Sequence, residues 1–210
     1  HEGNVIGAVE TLLDRTDHKR SEEAILSVSQ GISMSFGLEF FQLLTKSLSK
    51  ALNMDYAFVG ELDPVGRASI RTLAEIIDNF EYQLEGTPCG VVLTEGLCYY
   101  PERVWEKFPE DRMLLEMGIE SYVGIPLLGT SGQPIGIMVV LKQAPLENMS
   151  LTGSLLQIFA MRACAEIERM HTDRELKAKT SELSSLIENL QSAIAFIDSR
   201  GVLALANQHY

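Results

Sequence analysis

The spacing of apolar residues changes several times along the chain, and each change marks an element. Residues 5–13, with Val5, Ile6, Val9, Leu12 and Leu13, form a strand-like run that breaks at Asp14-Arg15-Thr16. Thr16 is a candidate N-cap for a helix carrying Ile25, Val28 and Ile32 at helical spacing. Gly37 interrupts that helix or marks a joint. Phe41, Leu44, Leu48, Ala51 and Leu52 then form an apolar stripe, with Thr45, Lys46, Ser47, Ser49 and Lys50 opposite, which predicts an amphipathic helix with one buried face. Residues 54–62 read as a strand, and Asp63-Pro64-Val65-Gly66 turns it into a second strand from Ser69 to about Ile77.

The stretch from Leu84 to Leu141 is less regular and holds Cys89, Cys98 and the only tryptophan, Trp105. Proline is tolerated at a helix's first position, because the N–H it lacks would have no partner there. Pro101 and Pro109 are therefore expected to start two short helices, with Glu102, Glu110 and Asp111 in first turns that suit acidic side chains. Two apolar runs at 119–128 and 135–141, joined by Gly129-Thr130-Ser131-Gly132-Gln133, predict a hairpin covered on both faces.

From about Ser150 an apolar pattern through Leu155, Leu156, Ile158, Phe159, Ala163 and Ile167 runs on without proline to about Gln191. That is a helix of roughly 40 residues and about 60 Å, more than a small domain can cover. Leu176, Leu183, Leu186 and Leu190 fall on heptad core positions, with Lys179 at another, which predicts a parallel coiled-coil dimer. Ile167 and Met170 do not share that register, so a shift is expected near 171–175. Residues 193–207 read as strand, turn and strand, with Asp198 to Gly201 as the turn.

Composition narrows the class. A hydrophobic fraction of 46% supports a core, and a net charge of −12 opposes nonspecific binding to nucleic acid phosphates. No apolar run approaches the roughly 20 residues that cross a bilayer, and no secretory segment starts the chain, so no membrane contact and a cytoplasmic location are expected. Three cysteines without paired spacing fit a reducing compartment. Helix, hairpin, irregular middle, hairpin and closing helix make an α+β domain with one antiparallel sheet. A start without Met and an end inside a hairpin are expected of a segment cut from a longer protein.

Several motifs carry resemblances. The junction Leu52-Asn53-Met54-Asp55-Tyr56-Ala57 is followed by Gly86-Thr87-Pro88-Cys89, Tyr100-Pro101 and Phe108-Pro109-x-Asp111. Next come Ser121-Tyr122-x-Gly124-x-Pro126-Leu127, Gly132-x-Pro134-x-Gly136 and Ala165-Glu166-x-Glu168-Arg169. This ordered set resembles the GAF domain, a small-molecule-sensing module of bacterial signalling proteins, in the subgroup set between PAS domains of sensor histidine kinases and cyclic-di-GMP enzymes. The resemblance implies a GAF-like six-stranded antiparallel sheet with helices packed on it, long N- and C-terminal helices, and a ligand cavity between one sheet face and the irregular middle. Asp14, Thr16, Lys19 and Glu22-Glu23 resemble the end of a PAS domain, although Arg15 replaces its usual aliphatic residue. The last hairpin resembles the start of another. The implied organisation is 1–20 as the end of a PAS domain, 21–36 as a linker helix and 37–169 as the GAF domain. A coiled-coil signalling helix at 170–191 and a truncated second PAS domain at 192–210 follow.

Candidate chemistry gathers in the middle segment. Phe58, Cys89, Cys98, Tyr99, Tyr100, Phe108 and Tyr122 are the expected ligand-binding residues, because small-molecule cavities are mostly apolar with a few polar groups; the alternative is that they are ordinary core. The Asn-Lys-x-Phe-x-x-x-Asp-Glu signature of cyclic-nucleotide-binding GAF domains is not found. Cys89 precedes Gly90 and Cys98 precedes Tyr99, where bilin-attaching cysteines precede His, so no covalent bilin is expected. His1, His18, His171 and His209 lie outside the GAF core, and no haem or metal is expected either. Cys89 follows Pro88 at a possible helix start, which would lower its pKa and make it the more reactive thiol. The Cys89–Cys98 spacing is loosely similar to free methionine-(R)-sulfoxide reductases, yet no histidine base is at hand.

The reading is a non-catalytic sensory module. It binds an unidentified small molecule and relays its state through a helical homodimer to an output domain such as a histidine kinase or a diguanylate cyclase or phosphodiesterase. The alternative is a ligand-free structural and dimerisation module.

Overall fold

In a computed structural model of the protein, residues 35–63, 69–75, 81–189 and 195–206 are described. The strand-like run at 5–13, the helix of Ile25, Val28 and Ile32, the turn at 64–66, Leu190 and Asn207 lie outside them, and with them the whole of the first PAS-like end and the two edges of the second.

The first helix, α1 (Gly37–Leu52), buries Phe40, Phe41, Leu44, Thr45 and Leu48 along one face. Full burial of each large apolar side chain contributes about 1.5–3 kcal/mol. Thr45, which the pattern assigns to the polar face, is buried as well. Its hydroxyl donates to the carbonyl oxygen of Phe41 at 3.0 Å, so a polar group one turn on is satisfied within the helix. Asn53 ends α1 in the left-handed conformation, φ 52°, returning its N–H to the Ser49 carbonyl.

Strands β1 (Tyr56–Leu62), β2 (Ser69–Glu75), β3 (Glu81–Gln83), β4 (Cys98–Tyr100), β5 (Ser121–Leu128) and β6 (Pro134–Lys142) form one sheet in the order β3-β2-β1-β6-β5-β4. All neighbours are antiparallel. Strands β1 and β6 are central, so both faces must be apolar, and β6 is buried from Gly136 to Leu141. Two glycines of the hairpin motif have a packing reason. A Cβ on Gly136 would stand 2.4 Å from the carbonyl oxygen of Gly60, and one on Gly124 would stand 2.6 Å from the Tyr122 hydroxyl.

Between the hairpins lie α2 (Pro88–Glu95), α3 (Val104–Lys107) and α4 (Arg112–Glu116). Here the proline expectation is corrected. Pro88 occupies the first turn of α2, whereas Pro101 and Pro109 each stand three residues ahead of a helix. Pro101 continues the extended chain of β4, and Pro109 lies in the turn after Phe108 caps α3. Accordingly Glu102 and Glu110 fall outside the helices, and Asp111 becomes the residue before α4.

The closing helix α5 (Met149–Asn189) is 41 residues long. The chain divides into two compact units, one ending at Ile167 and one beginning at Glu168. In the first, α5 buries Leu155, Leu156, Phe159, Ala163 and Ile167. The second contains the rest of α5 and a hairpin of β7 (Ala195–Ile197) and β8 (Leu203–Ala206), whose turn is closed by Asp198 accepting from the N–H groups of Arg200 and Val202. Leu176, Leu183 and Leu186 are 64%, 60% and 58% exposed. Among the described residues, no helix is long and apolar enough to cross a membrane.

Candidate functional site

One face of the sheet carries α2 and the segment that follows it. Thr87 caps α2 by donating its hydroxyl to the Leu84 carbonyl oxygen at 2.8 Å and accepting from the Gly90 N–H at 3.4 Å. The chain must turn sharply before it, with Gly86 at φ 73°. Gly90 is needed for a different reason, since a Cβ there would meet the Leu84 carbonyl oxygen at 2.5 Å. Cys89 and Val92, three residues apart, point inward and are buried, while Val91 and Thr94 lie on the outer side.

Six of the seven predicted residues come together beneath this helix. Phe58, Cys89, Cys98 and Tyr122 are buried in one apolar cluster, and Tyr100 and Phe108 pack against it half-buried. Pairing of Cys98 with Gly124 and of Tyr100 with Tyr122 places the side chains of β4 and β5 on this face. The Tyr122 hydroxyl donates to the Cys89 sulfur at 3.2 Å. Tyr100 meets Phe108 edge-on, with centroids 5.1 Å apart, and lies 5.9 Å from the Tyr122 ring. The Lys107 ammonium sits 5.1 Å above the Tyr100 ring.

Tyr99 is the exception. It pairs with Val123, on the opposite face, and its hydroxyl lies against Gly153 of α5, where an added Cβ would come within 1.8 Å. Alternation along β4 separates it from Tyr100, so it shares no space with the other six.

Electrostatics favour neutral groups here. Burial, and then the charge of Glu95, push the Cys98 thiol up, and its S–H donates to the Gly96 carbonyl oxygen at 3.3 Å. Burial raises the Tyr100 phenol, with Cys98 and Glu95 adding to it. Burial also raises Asp111, against the lowering effect of the Leu114 and Met113 N–H groups. Cys89, expected as the reactive thiol, is 3% exposed and roofed by Tyr122, so its position at the start of α2 does not expose it to reagents. Among the described residues, no cluster of three or more His, Cys, Asp or Glu side chains is placed to hold a metal ion.

Outside the filled cluster, α2 borders a groove of about 410 Å³ lined by residues Leu84, Glu85, Gly86 and Thr87, by Gly90, Val91, Leu93 and Thr94, and by Phe108. Of the predicted site residues only Phe108 reaches it. The Gly86-Thr87-Pro88-Cys89-Gly90 motif marked this stretch, but attention to aromatic and sulfur side chains selected the inward residues. The three-residue spacing of Cys89 and Val92 could have shown that Val91 and Thr94 face outward.

The fold has known counterparts. The GAF domain of an Acinetobacter phosphoenolpyruvate-protein phosphotransferase superposes with a TM-score of 0.61 at 16% identity, covering 74% of this chain and 97% of that one. Its equivalent from Coxiella burnetii gives 0.64 at 16% identity, covering 75% and 98%. The chromophore-binding domain of Stigmatella aurantiaca phytochrome P1 gives 0.55 at 11% identity, covering 69% and 59%. Identities this low speak for the fold alone. No curated protein sequence matches. A family model described as GAF domain matches residues 37–167, more than half of the 210, and spans α1 to the buried part of α5. The chain therefore belongs to the GAF domain family.

Proposed function

We propose that this chain is a sensory and regulatory module of a bacterial signal-transduction protein. It takes a small molecule at the α2 face of the sheet and relays its state through paired helices to an output domain, without catalysing a reaction itself. The carrying observation is the groove of about 410 Å³ along α2, whose wall at Phe108 continues into Tyr100 and Tyr122. Its volume is in the range of small-molecule sites. Occupation would shift α2 and Phe108, and hence the rings on β4 and β5, between two packed arrangements.

The relay is supported by the 41-residue α5 and by its exposed Leu176, Leu183 and Leu186 at heptad spacing, which suit a parallel coiled coil with a second copy. A regulatory role is supported by the fold's company, which includes a phytochrome chromophore-binding domain and a methyl-accepting chemotaxis protein. PAS segments at 1–20 and 192–210, a histidine kinase or cyclic-di-GMP output and a cytoplasmic location complete the proposal from the sequence resemblance.

A second reading, a ligand-free structural and dimerisation module, is favoured by the interior packing. Tyr122 and Cys89 fill the space beneath α2 with each other. Native mass spectrometry of the purified chain separates the two. The sensory reading expects a small-molecule adduct lost on denaturation. A mass equal to that of the sequence, with no cell extract able to shift the Val91 and Phe108 resonances, would select the structural module.

A further inference from the structure

The polar side chains that line the groove are Glu85, Thr87 and Thr94. The Glu110 carboxylate, outside that lining, packs against Gly86, its Oε2 2.6 Å from where a Cβ would be. Thr94 donates its hydroxyl proton to the Val91 carbonyl oxygen at 3.0 Å, which leaves its oxygen as an acceptor. Thr87 donates to the Leu84 carbonyl oxygen, and its own oxygen takes the Gly90 N–H.

Donors are scarce for equally local reasons. A helix N-terminus ordinarily offers free N–H groups to an anion. In α2 that offer is reduced, because Pro88 has no N–H, the Thr87 N–H goes to the Leu84 carbonyl oxygen and the N–H of Gly90 goes to Thr87. Among the described residues that line the groove, none is basic. The nearby Lys107 ammonium lies over the Tyr100 ring. With a net charge of −12 on the whole chain, the surrounding field also repels anions.

An apolar trough walled by Leu84, Val91, Leu93 and Phe108, with Glu85 in its lining and the Glu110 carboxylate against Gly86, calls for an apolar body and a donor-bearing cationic head. We infer that the ligand class of this groove is a small primary or secondary amine, bound as its ammonium with an aryl or alkyl tail, and not a phosphate or carboxylate. This rests on the reading of the groove as the ligand site. The head would be held by Glu85 and Glu110 and the tail by Val91 and Phe108.

Ligand-observed NMR on the full chain tests it with two matched probes, 2-phenylethylammonium and 3-phenylpropanoate, at low and at high salt. Thr94→Trp, on the exposed side of α2, fills the groove; Glu85→Gln and Glu110→Gln remove charge without changing shape. Expected is binding of the ammonium only, abolished by Thr94→Trp, weakened about 2- to 5-fold by each Glu→Gln change and weakened by salt. Binding of the carboxylate in the groove, or ammonium binding that both Glu→Gln variants leave unchanged, overturns the ligand class while the groove remains a site. If neither probe binds, or binding survives Thr94→Trp, the groove reading falls together with the class.

Discussion

The carboxylate of Glu166 on α5 accepts a hydrogen bond from the N–H of Gly37, the first residue of α1 and 129 positions away in sequence. Glu166 is 8% exposed, and Gly37 adopts φ 64° with open space where a Cβ would be. Glycine is thus required there by backbone conformation and not by crowding. The contact supplies the capping acceptor that Phe36, the residue before the helix, lacks. It ties the point where the chain enters the GAF domain to the last turn of α5 within it. The Arg162 guanidinium over the Phe40 ring, 5.9 Å away, reinforces the same pairing.

Replacing that acceptor should loosen both ends together. Glu166→Ala is expected to cost about 1–3 kcal/mol, and Glu166→Gln, which keeps an oxygen in place, clearly less. Urea denaturation measures the difference, and hydrogen exchange should rise first in the opening turn of α1. Equal losses for both variants would mean that the charge, and not the cap, matters.

Gly124 and Tyr122 share one space. A Cβ at Gly124 would stand 2.6 Å from the Tyr122 hydroxyl and 2.8 Å from a Val92 methyl. Gly124→Ala should therefore destabilise by about 1–3 kcal/mol through overpacking. Adding Tyr122→Phe removes the nearest atom and should recover part of that loss, although it also gives up the hydrogen bond to Cys89. Strict additivity of the two changes would refute the shared-space account.

Alkaline pH should lower the stability of the domain. The Cys98 thiol and the Tyr99 and Tyr100 phenols are held above their ordinary values, each chiefly by burial. A raised folded pKa means the fold prefers the protonated form, so this contribution is complete below the unfolded value and is lost as pH rises through the folded one. Stability is expected to fall from about pH 8.5 upward, as the unfolded thiol begins to ionise. Urea midpoints across that range should decline less steeply in Cys98→Ala than in the unmodified chain.

Three leucines should decide the association state. If Leu176, Leu183 and Leu186 form a seam with a second copy, changing each to Ser should weaken dimerisation by at least about 10-fold per residue. Light scattering would follow the shift to monomer, and circular dichroism the loss of helix. A parent chain already monomeric well above micromolar concentration would remove the seam from the mechanism.

Long elements are legible in the sequence. The apolar stripe of α1, the paired runs of β5 and β6 and the span of α5 each repeat their period often enough to be read locally. Short elements are not. With three residues each, β3 and β4 have no period to detect, whereas α2 is marked at its start by Pro88 but not along its length. Pro101 and Pro109 misled for a related reason, since proline suits a turn or an extended segment as well as a helix start.

The sequence by itself determined the class, the family and the neighbourhood of the candidate site, because hydrophobic period and motif order are properties of the chain. Which side chains line that site was decided only by the tertiary structure. Pairing with β5 sends Tyr100 to the α2 face and Tyr99 to Gly153 on the other. Helical phase buries Cys89 beneath Tyr122 and turns Val91 and Thr94 outward. Orientation on a short strand or helix comes from register with a distant partner, and no local pattern contains it.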